Sequence, residues 1–177
     1  MKRFLITVDM QNDFVDGALG TREAAEIVPR VAEKIGAFEG EIIATLDTHT
    51  EDYMNTREGK HLPVPHCIRG TEGWKLNKNV LQALEQKGYT ALEKPTFGCV
   101  RLPELIRERA AGDEEIFIEL IGLCTDICVI SNALLLKAAF PEAEIFVDAR
   151  CCAGVTPDTH NAALTAMQCC QIGIRKE

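Results

Sequence analysis

Apolar residues along the chain alternate between two patterns. Short, mostly apolar runs recur, and between them lie stretches whose apolar positions are three or four residues apart. Phe4–Val8, Ile42–Leu46, Thr90–Glu93, Ile116–Ile121, Glu144–Val147 and Ile172–Ile174 have the length of buried strands. Helical spacing fills the gaps: Glu23–Phe38, with Ile27, Val31 and Ile35 on one face, then Leu76–Lys87, Leu102–Ala110 and Val129–Ala139. Thr156-Pro157-Asp158 supplies an N-cap and a first-position proline for a last helix reaching about Cys170. Pro29 is compatible with the first of these helices only near its first turn. The segment from Thr48 to about Gly73 is polar, rich in Pro and Gly, and without periodicity. A loop of that length inside a compact domain is functional or disordered.

Strands alternating with helices predict an α/β fold, three layers deep, with helices on both faces of a doubly wound, mainly parallel sheet of about six strands. At 177 residues the whole chain, 1–177, fits one domain with a real core. In such sheets ligands bind at the C-terminal ends of the strands. Asp9, Asp47, Lys94 and Cys128 all fall at or just beyond predicted strand ends. The central stretch is IFIELIGLCTDICVISNALLL (Ile116–Leu136), in which Gly122 ends the strand and a helix follows Cys128. A helix N-terminus stabilises a thiolate, which makes Cys128 the first candidate for a reactive thiol.

Composition narrows the class. A hydrophobic content of 46% and a charged content of 26% are those of a soluble globular protein. The net charge of −8 disfavours nucleic acid and anionic membrane as partners. No apolar run approaches the roughly 20 residues that span a bilayer. The N-terminus lacks a small-residue cleavage site and runs straight into a strand, so no signal peptide is expected. The eight cysteines, four of them in the adjacent pairs Cys151–Cys152 and Cys169–Cys170, are read as reduced and mostly core filler in a cytoplasmic protein.

Two groups of residues carry candidate chemistry. Asp9, Lys94 and Cys128 can serve as base, cation and nucleophile; they are equally readable as a sheet-edge salt bridge beside a packed thiol. Asp47 and His49 leave one strand end on the same side, and His66 follows in the loop, a set suited to Zn, Fe or Mn. Glu58 is a candidate extra oxygen ligand.

The motifs VDMQNDF (Val8–Phe14), DTH (Asp47–His49), PHCIRGTEGW (Pro65–Trp74), EKPTFG (Glu93–Gly98) and GLCTDICV (Gly122–Val129) occur in this order. With them the chain resembles the isochorismatase-like cysteine hydrolases, and within that family the nicotinamidase/pyrazinamidase branch. The resemblance implies a catalytic triad of Asp9, Lys94 and Cys128 and a cis peptide between Leu123 and Cys124. It also implies an oxyanion hole from the amides of Cys124 and Cys128, with one divalent metal, zinc first, on Asp47, His49, His66 and Glu58. Phe14 and Ile127 match pocket positions, and the substrate is a small amide. A homo-oligomer is implied by the same likeness. Three features depart from the branch. Pro63 stands where many members carry an aromatic residue, Ile127 precedes the nucleophile, and Cys124 takes a place usually small or aliphatic. Trp74 is a candidate replacement for the missing ring. Two other readings stand beside nicotinamide hydrolysis: an amidase of the same family for another amide or ureido substrate, and a non-enzymatic metal- or redox-sensing protein. An isochorismate hydrolase is disfavoured, because those relatives do not keep the nucleophilic cysteine.

Overall fold

The computed structural model, described for residues 1–110, 112 and 115–176, has the parallel sheet that the alternation predicts. Its elements are β1 (Lys2–Val8), α1 (Asn12–Val15), α2 (Arg22–Ala37), β2 (Glu41–Asp47), α3 (Arg57–His61), α4 (Lys78–Lys87), β3 (Thr90–Lys94) and α5 (Arg101–Arg109). They continue with β4 (Ile116–Leu123), α6 (Ile130–Ala139), β5 (Glu144–Ala153), α7 (Pro157–Cys169) and β6 (Gly173–Arg175). The strands lie in the order β3-β2-β1-β4-β5-β6, every pairing parallel. The chain winds outward from β1 to β3, then returns to the other side of β1 for β4. That reversal between β1 and β4 opens a crevice at the C-terminal strand ends.

Strand alternation divides the core between the two faces. Phe4, Ile6 and Val8 of β1 and Ile118 and Leu120 of β4 pack under α5, α6 and α7. Leu5 of β1 and Phe117, Ile121 and Leu123 of β4 pack under α2 and α4. The adjacent cysteines of β5 follow the same rule: Cys151 enters one core and Cys152 the other. All eight cysteines are free thiols. The cap predicted at Thr156 is present, and Thr21 caps α2 as well. Thr21 accepts from the Ala24 amide, and Thr156 and Thr159 form a reciprocal capping box at α7. Among the described residues no helix is long and apolar enough to cross a membrane.

Several boundaries differ from those expected. Pro29 lies in the interior of α2 rather than in its first turn. Pro29 and Ala25 are both exposed, so water can satisfy the carbonyl that the proline leaves without a donor. The 48–73 segment contains a 3₁₀ turn at Tyr53–Asn55 and the short α3. β5 does not stop at Asp148. An irregularity shifts its register between Leu120 and Gly122 of β4, after which Cys152 and Ala153 pair with Gly122 and Leu123. Gly122 does not end its strand either. It stays in β4 with φ of 116°, and a Cβ there would come within 2.1 Å of the Val8 carbonyl oxygen. Only glycine holds that conformation at that spacing.

The one acidic residue in the central strand, Glu119, is buried and paired. Lys34 of α2 bridges it (2.8 Å) to Asp148 of β5 (3.1 Å), and Arg175 of β6 closes on Glu119 at 3.1 Å. Arg150 also reaches Asp148, at 2.7 Å. Burial by itself raises the Asp148 carboxyl, but its bonds to Arg150 and Lys34 outweigh that and hold it below the usual carboxylate range. A depressed folded value stabilises the protein above the unfolded carboxylate value of about 3.9 and is lost as pH falls through the folded one. Asp148→Asn is therefore expected to lower the urea midpoint at pH 6, with the gap to wild type closing as pH falls below about 4. An unchanged gap from pH 6 to pH 3 contradicts this. Gly122→Ala is expected to cost about 2–4 kcal/mol in the same urea titration, through strain and backbone overlap. A loss under about 0.5 kcal/mol, the scale of an ordinary surface change, contradicts the close approach.

Candidate active site

Four strand ends deliver the site. Asp9 follows β1, Asp47 ends β2, Lys94 ends β3, and Cys124 and Cys128 follow β4. The register that pairs Asp47 with Lys94 sets these two side by side. From there the Lys94 ammonium reaches over to Asp9: its Nζ lies 2.7 Å from Asp9 Oδ2 and 3.3 Å from Asp47 Oδ1. It also donates to the Thr96 carbonyl at 3.0 Å and contacts Cys128 Sγ at 3.6 Å. Asp9 is fully buried, in a left-handed conformation (φ 47°), with Oδ1 accepting from the Thr45 hydroxyl at 2.7 Å. Asp is among the non-glycine residues that tolerate this region.

The electrostatics of this nest follow from burial. Burial alone pulls Lys94 down, but Asp9, Cys128 and Asp47 together hold its ammonium above the ordinary range. Burial raises the Asp9 carboxyl, partly offset by Lys94. Burial, then the Asp9 charge, keep the Cys128 thiol well above its ordinary value, with Lys94 opposing. Beside the helix dipole that the sequence predicts at this turn, desolvation is therefore the larger influence on the Cys128 thiol.

The turn that carries Cys128 also differs from a simple strand-to-helix break. The Leu123–Cys124 peptide is cis. A single π-helical turn, Thr125–Val129, precedes α6, with the Cys124 carbonyl accepting from both Ile127 (3.1 Å) and Val129 (3.0 Å). Asn132, the buried polar residue of α6, holds this turn in place. It donates to the Cys128 carbonyl at 2.8 Å and to the Phe97 carbonyl at 3.1 Å, and accepts from the Cys99 amide at 2.8 Å.

Asp47, His49, Glu58 and His66 converge, with one ligand atom from each within 4.8 Å of all the others. The backbone explains how. The His49 amide donates to the Cys67 carbonyl, and the Arg69 amide to the His49 carbonyl, which closes the loop and brings His66 to His49. Glu58 arrives on the first turn of α3, behind its cap Thr56. His66 Nδ1 donates to the Val64 carbonyl at 2.9 Å, which turns Nε2 toward Asp47 Oδ2 (3.5 Å) and Glu58 Oε1 (3.7 Å). His49 Nε2 lies 3.0 Å and 3.7 Å from the same two oxygens. These separations suit one ion: ligand atoms at about 2.0–2.2 Å around a tetrahedral zinc lie about 3.3–3.5 Å apart. Charge agrees. Asp9, Asp47 and Glu58 against Lys94 leave two negative charges in excess, which one divalent cation neutralises.

Other residues the sequence reading passed over hold this group. Gln11 sits between β1 and the metal loop. Its Oε1 accepts from the Asp47 amide at 2.7 Å, and its Nε2 donates to the Asp47 and Trp74 carbonyls at 2.8 Å each. Asp13 accepts from the Cys67 amide at 2.8 Å. Tyr53 packs its ring edge-on against both imidazoles, at 4.8 and 5.0 Å. Gln11 and Asp13 had a signal, since they lie within VDMQNDF; Tyr53 had none.

Both groups face one cavity of about 210 Å³. Asp47, Glu58, His66 and Cys128 line its polar end, and Phe14, Leu19, Leu62, Phe97 and Ile127 its apolar walls. The Cys124 thiol also faces it and is pushed up to about 12, by burial first and Asp126 second. Trp74 does not replace the ring missing at Pro63. Its indole N–H is tied to the Thr48 hydroxyl at 2.9 Å, and the aromatic walls are Phe14 and Phe97. The arrangement sets a buried thiol, a neighbouring carboxylate, a cation and four side chains able to hold a metal around an apolar slot, groups of the kind that thiol-based acyl transfer uses.

Comparison with known proteins agrees. The chain is 28% identical over 181 residues to the nicotinamidase/pyrazinamidase of Mycobacterium tuberculosis, covering 94% of each chain. It superposes on the crystal structure of a nicotinamidase/pyrazinamidase from Bacillus subtilis with a TM-score of 0.85 at 27% identity, covering 99% of this chain and 100% of the other. A pyrazinamidase of Pyrococcus horikoshii, solved in complex with zinc, gives a TM-score of 0.81 at 26% identity, with both chains fully covered. The isochorismatase domain model matches residues 3–175, and the chain belongs to the isochorismatase family.

Proposed function

We propose that this chain is a metal-dependent cysteine amidohydrolase that converts nicotinamide and water to nicotinate and ammonia. The observation that carries this is the contact of one buried ammonium, Lys94, with Asp9, Asp47 and Cys128. Through that contact the nucleophile and the metal-ligand group share one apolar cavity. The zinc bound by the Pyrococcus relative and the names of the others support the same reading.

Asp9 takes the Cys128 proton as the sulfur attacks the carboxamide carbon, and the C=O electrons move to oxygen. The amides of Cys124 and Cys128 hold that oxyanion. The C–N bond then breaks, and Asp9 returns the proton to the leaving ammonia, giving a thioester on Cys128. Asp9 next takes a proton from water, which attacks the thioester, and Cys128 leaves with that proton as a thiol. Lys94 keeps Asp9 anionic between the two half-reactions, and Thr45 keeps its carboxyl oriented. Asp47, His49, His66 and Glu58 hold one divalent metal, zinc first and iron or manganese as alternatives. When bound, it supplies a Lewis acid for the ring nitrogen and so orients substrate. Phe14, Ile127 and Phe97 sandwich the ring.

A sensor that works through its thiols is disfavoured. Of the thiols that reading would use, Cys124, Cys128, Cys151 and Cys152 are raised above the ordinary range by burial, whereas redox sensing needs an accessible thiolate; the exposed pair Cys169–Cys170 lies at the end of α7, away from the metal-ligand group.

Ammonia release from nicotinamide by the purified protein tests this. Cys128→Ala is expected to lower kcat by more than about 10⁴-fold, with fold and metal content unchanged. A chelator is expected to remove turnover and added zinc to restore it. No ammonia from nicotinamide, with one tightly held metal and an alkylatable Cys128, transfers the same chemistry to another small amide. Neither metal nor alkylatable thiol overturns the proposal.

A further inference from the structure

The nucleophile turn is held from below by α7. Thr125, the first residue of that turn and fully buried, bonds through its hydroxyl to Nδ1 of His160 at 2.8 Å. The next residue, Asp126, accepts from the Val155 amide through both carboxylate oxygens, at 3.2 and 3.1 Å. Two successive residues between Cys124 and Cys128 are therefore fixed by the β5–α7 connection. The connection is built to come this close. A Cβ on Gly154 would lie 2.9 Å from His160 Cβ, so a larger residue there would push α7 away from the turn.

His160 itself is not in the substrate cavity. It faces a separate one of about 200 Å³ on the other side of the turn, with Glu23, Glu26 and Arg30 of α2 and Cys152 of β5. Among the described residues its ring hydrogen-bonds to Thr125, so what it does for the chemistry it does through that hydroxyl. Burial lowers its basicity, with Asp126 opposing, and its place in the first turn of α7 adds the positive end of a helix dipole. A neutral imidazole can accept at Nδ1, which lets the Thr125 hydroxyl donate.

We propose that His160 is a positioning residue: through Thr125 it sets the orientation of the turn whose Cys124 and Cys128 amides receive the oxyanion. This rests on the amidohydrolase reading above. Amides aimed at the transition-state oxygen act on the chemical step, and a displacement of about 1 Å in such a group can cost about 10²-fold. Loss of the tie is therefore expected in kcat rather than in substrate binding.

Steady-state kinetics on nicotinamide with wild type, His160→Ala, His160→Asn and Thr125→Val tests this, with metal content and urea midpoint measured on each. His160→Ala is expected to lower kcat about 10–100-fold with KM within about threefold. In His160→Asn the amide oxygen can stand where Nδ1 stood, and kcat should return to within about threefold of wild type. Thr125→Val should match His160→Ala, and the double variant should lose no more than either single one. Thr125→Val carries the comparison by itself if His160→Ala does not fold. Wild-type turnover with kcat unchanged in Thr125→Val, losses confined to KM, or additive effects in the double variant overturn the positioning role alone. An inactive wild type overturns the amidohydrolase reading and this inference with it.

Discussion

A lysine ammonium that is 2% exposed has no water to solvate it, so the protein must surround it with charge and acceptors or lose it. Lys94 meets this demand with Asp9, Asp47 and the Thr96 carbonyl. Each partner lies at a different place in the sequence, and only the parallel register of β1, β2 and β3 brings them to one point. Removing either carboxylate would leave a buried charge uncompensated, a change that commonly costs 3–5 kcal/mol. The catalytic nest is thus also a structural one, and the Cys128 thiol takes its environment from it.

Asp47 joins the two halves of the site. One oxygen faces Lys94 and the other the imidazoles of His49 and His66, so a single carboxylate is shared by the nucleophile's cation and the metal ligands. Its backbone is gripped on both sides by Gln11, which leaves the side chain little freedom to choose one partner over the other. On the proposed reading, a divalent ion held there would offset the negative excess of these carboxylates and so link its binding to the charge balance around Asp9 and Cys128.

The nucleophile turn is held by the helices of one layer and the metal group by the loops above the other. Asn132 of α6, buried, and His160 of α7, half-buried, hold the turn from beneath. The metal loop is fixed instead by backbone pairing of His49 with Cys67 and Arg69, and by Tyr53 and Asp13. Unpaired, any of these buried groups would be costly, and each is satisfied.

The alternation of apolar runs with helical spacing was enough to determine the layers, the parallel sheet and the strand ends at which Asp9, Asp47, Lys94 and Cys128 emerge, because periodicity records which faces must be buried. The motif order was enough to bring the metal group and the nucleophile into one family pattern. Four features lay outside that record. β4 runs through Gly122 because Val8 approaches too closely for any side chain, β5 continues past Asp148, Pro29 lies inside α2 on its solvent face, and burial pushes the Cys128 thiol up. Each depends on what another segment places nearby. Desolvation, backbone overlap and water access are properties of the packed molecule, and the local spacing of residues carries no trace of them.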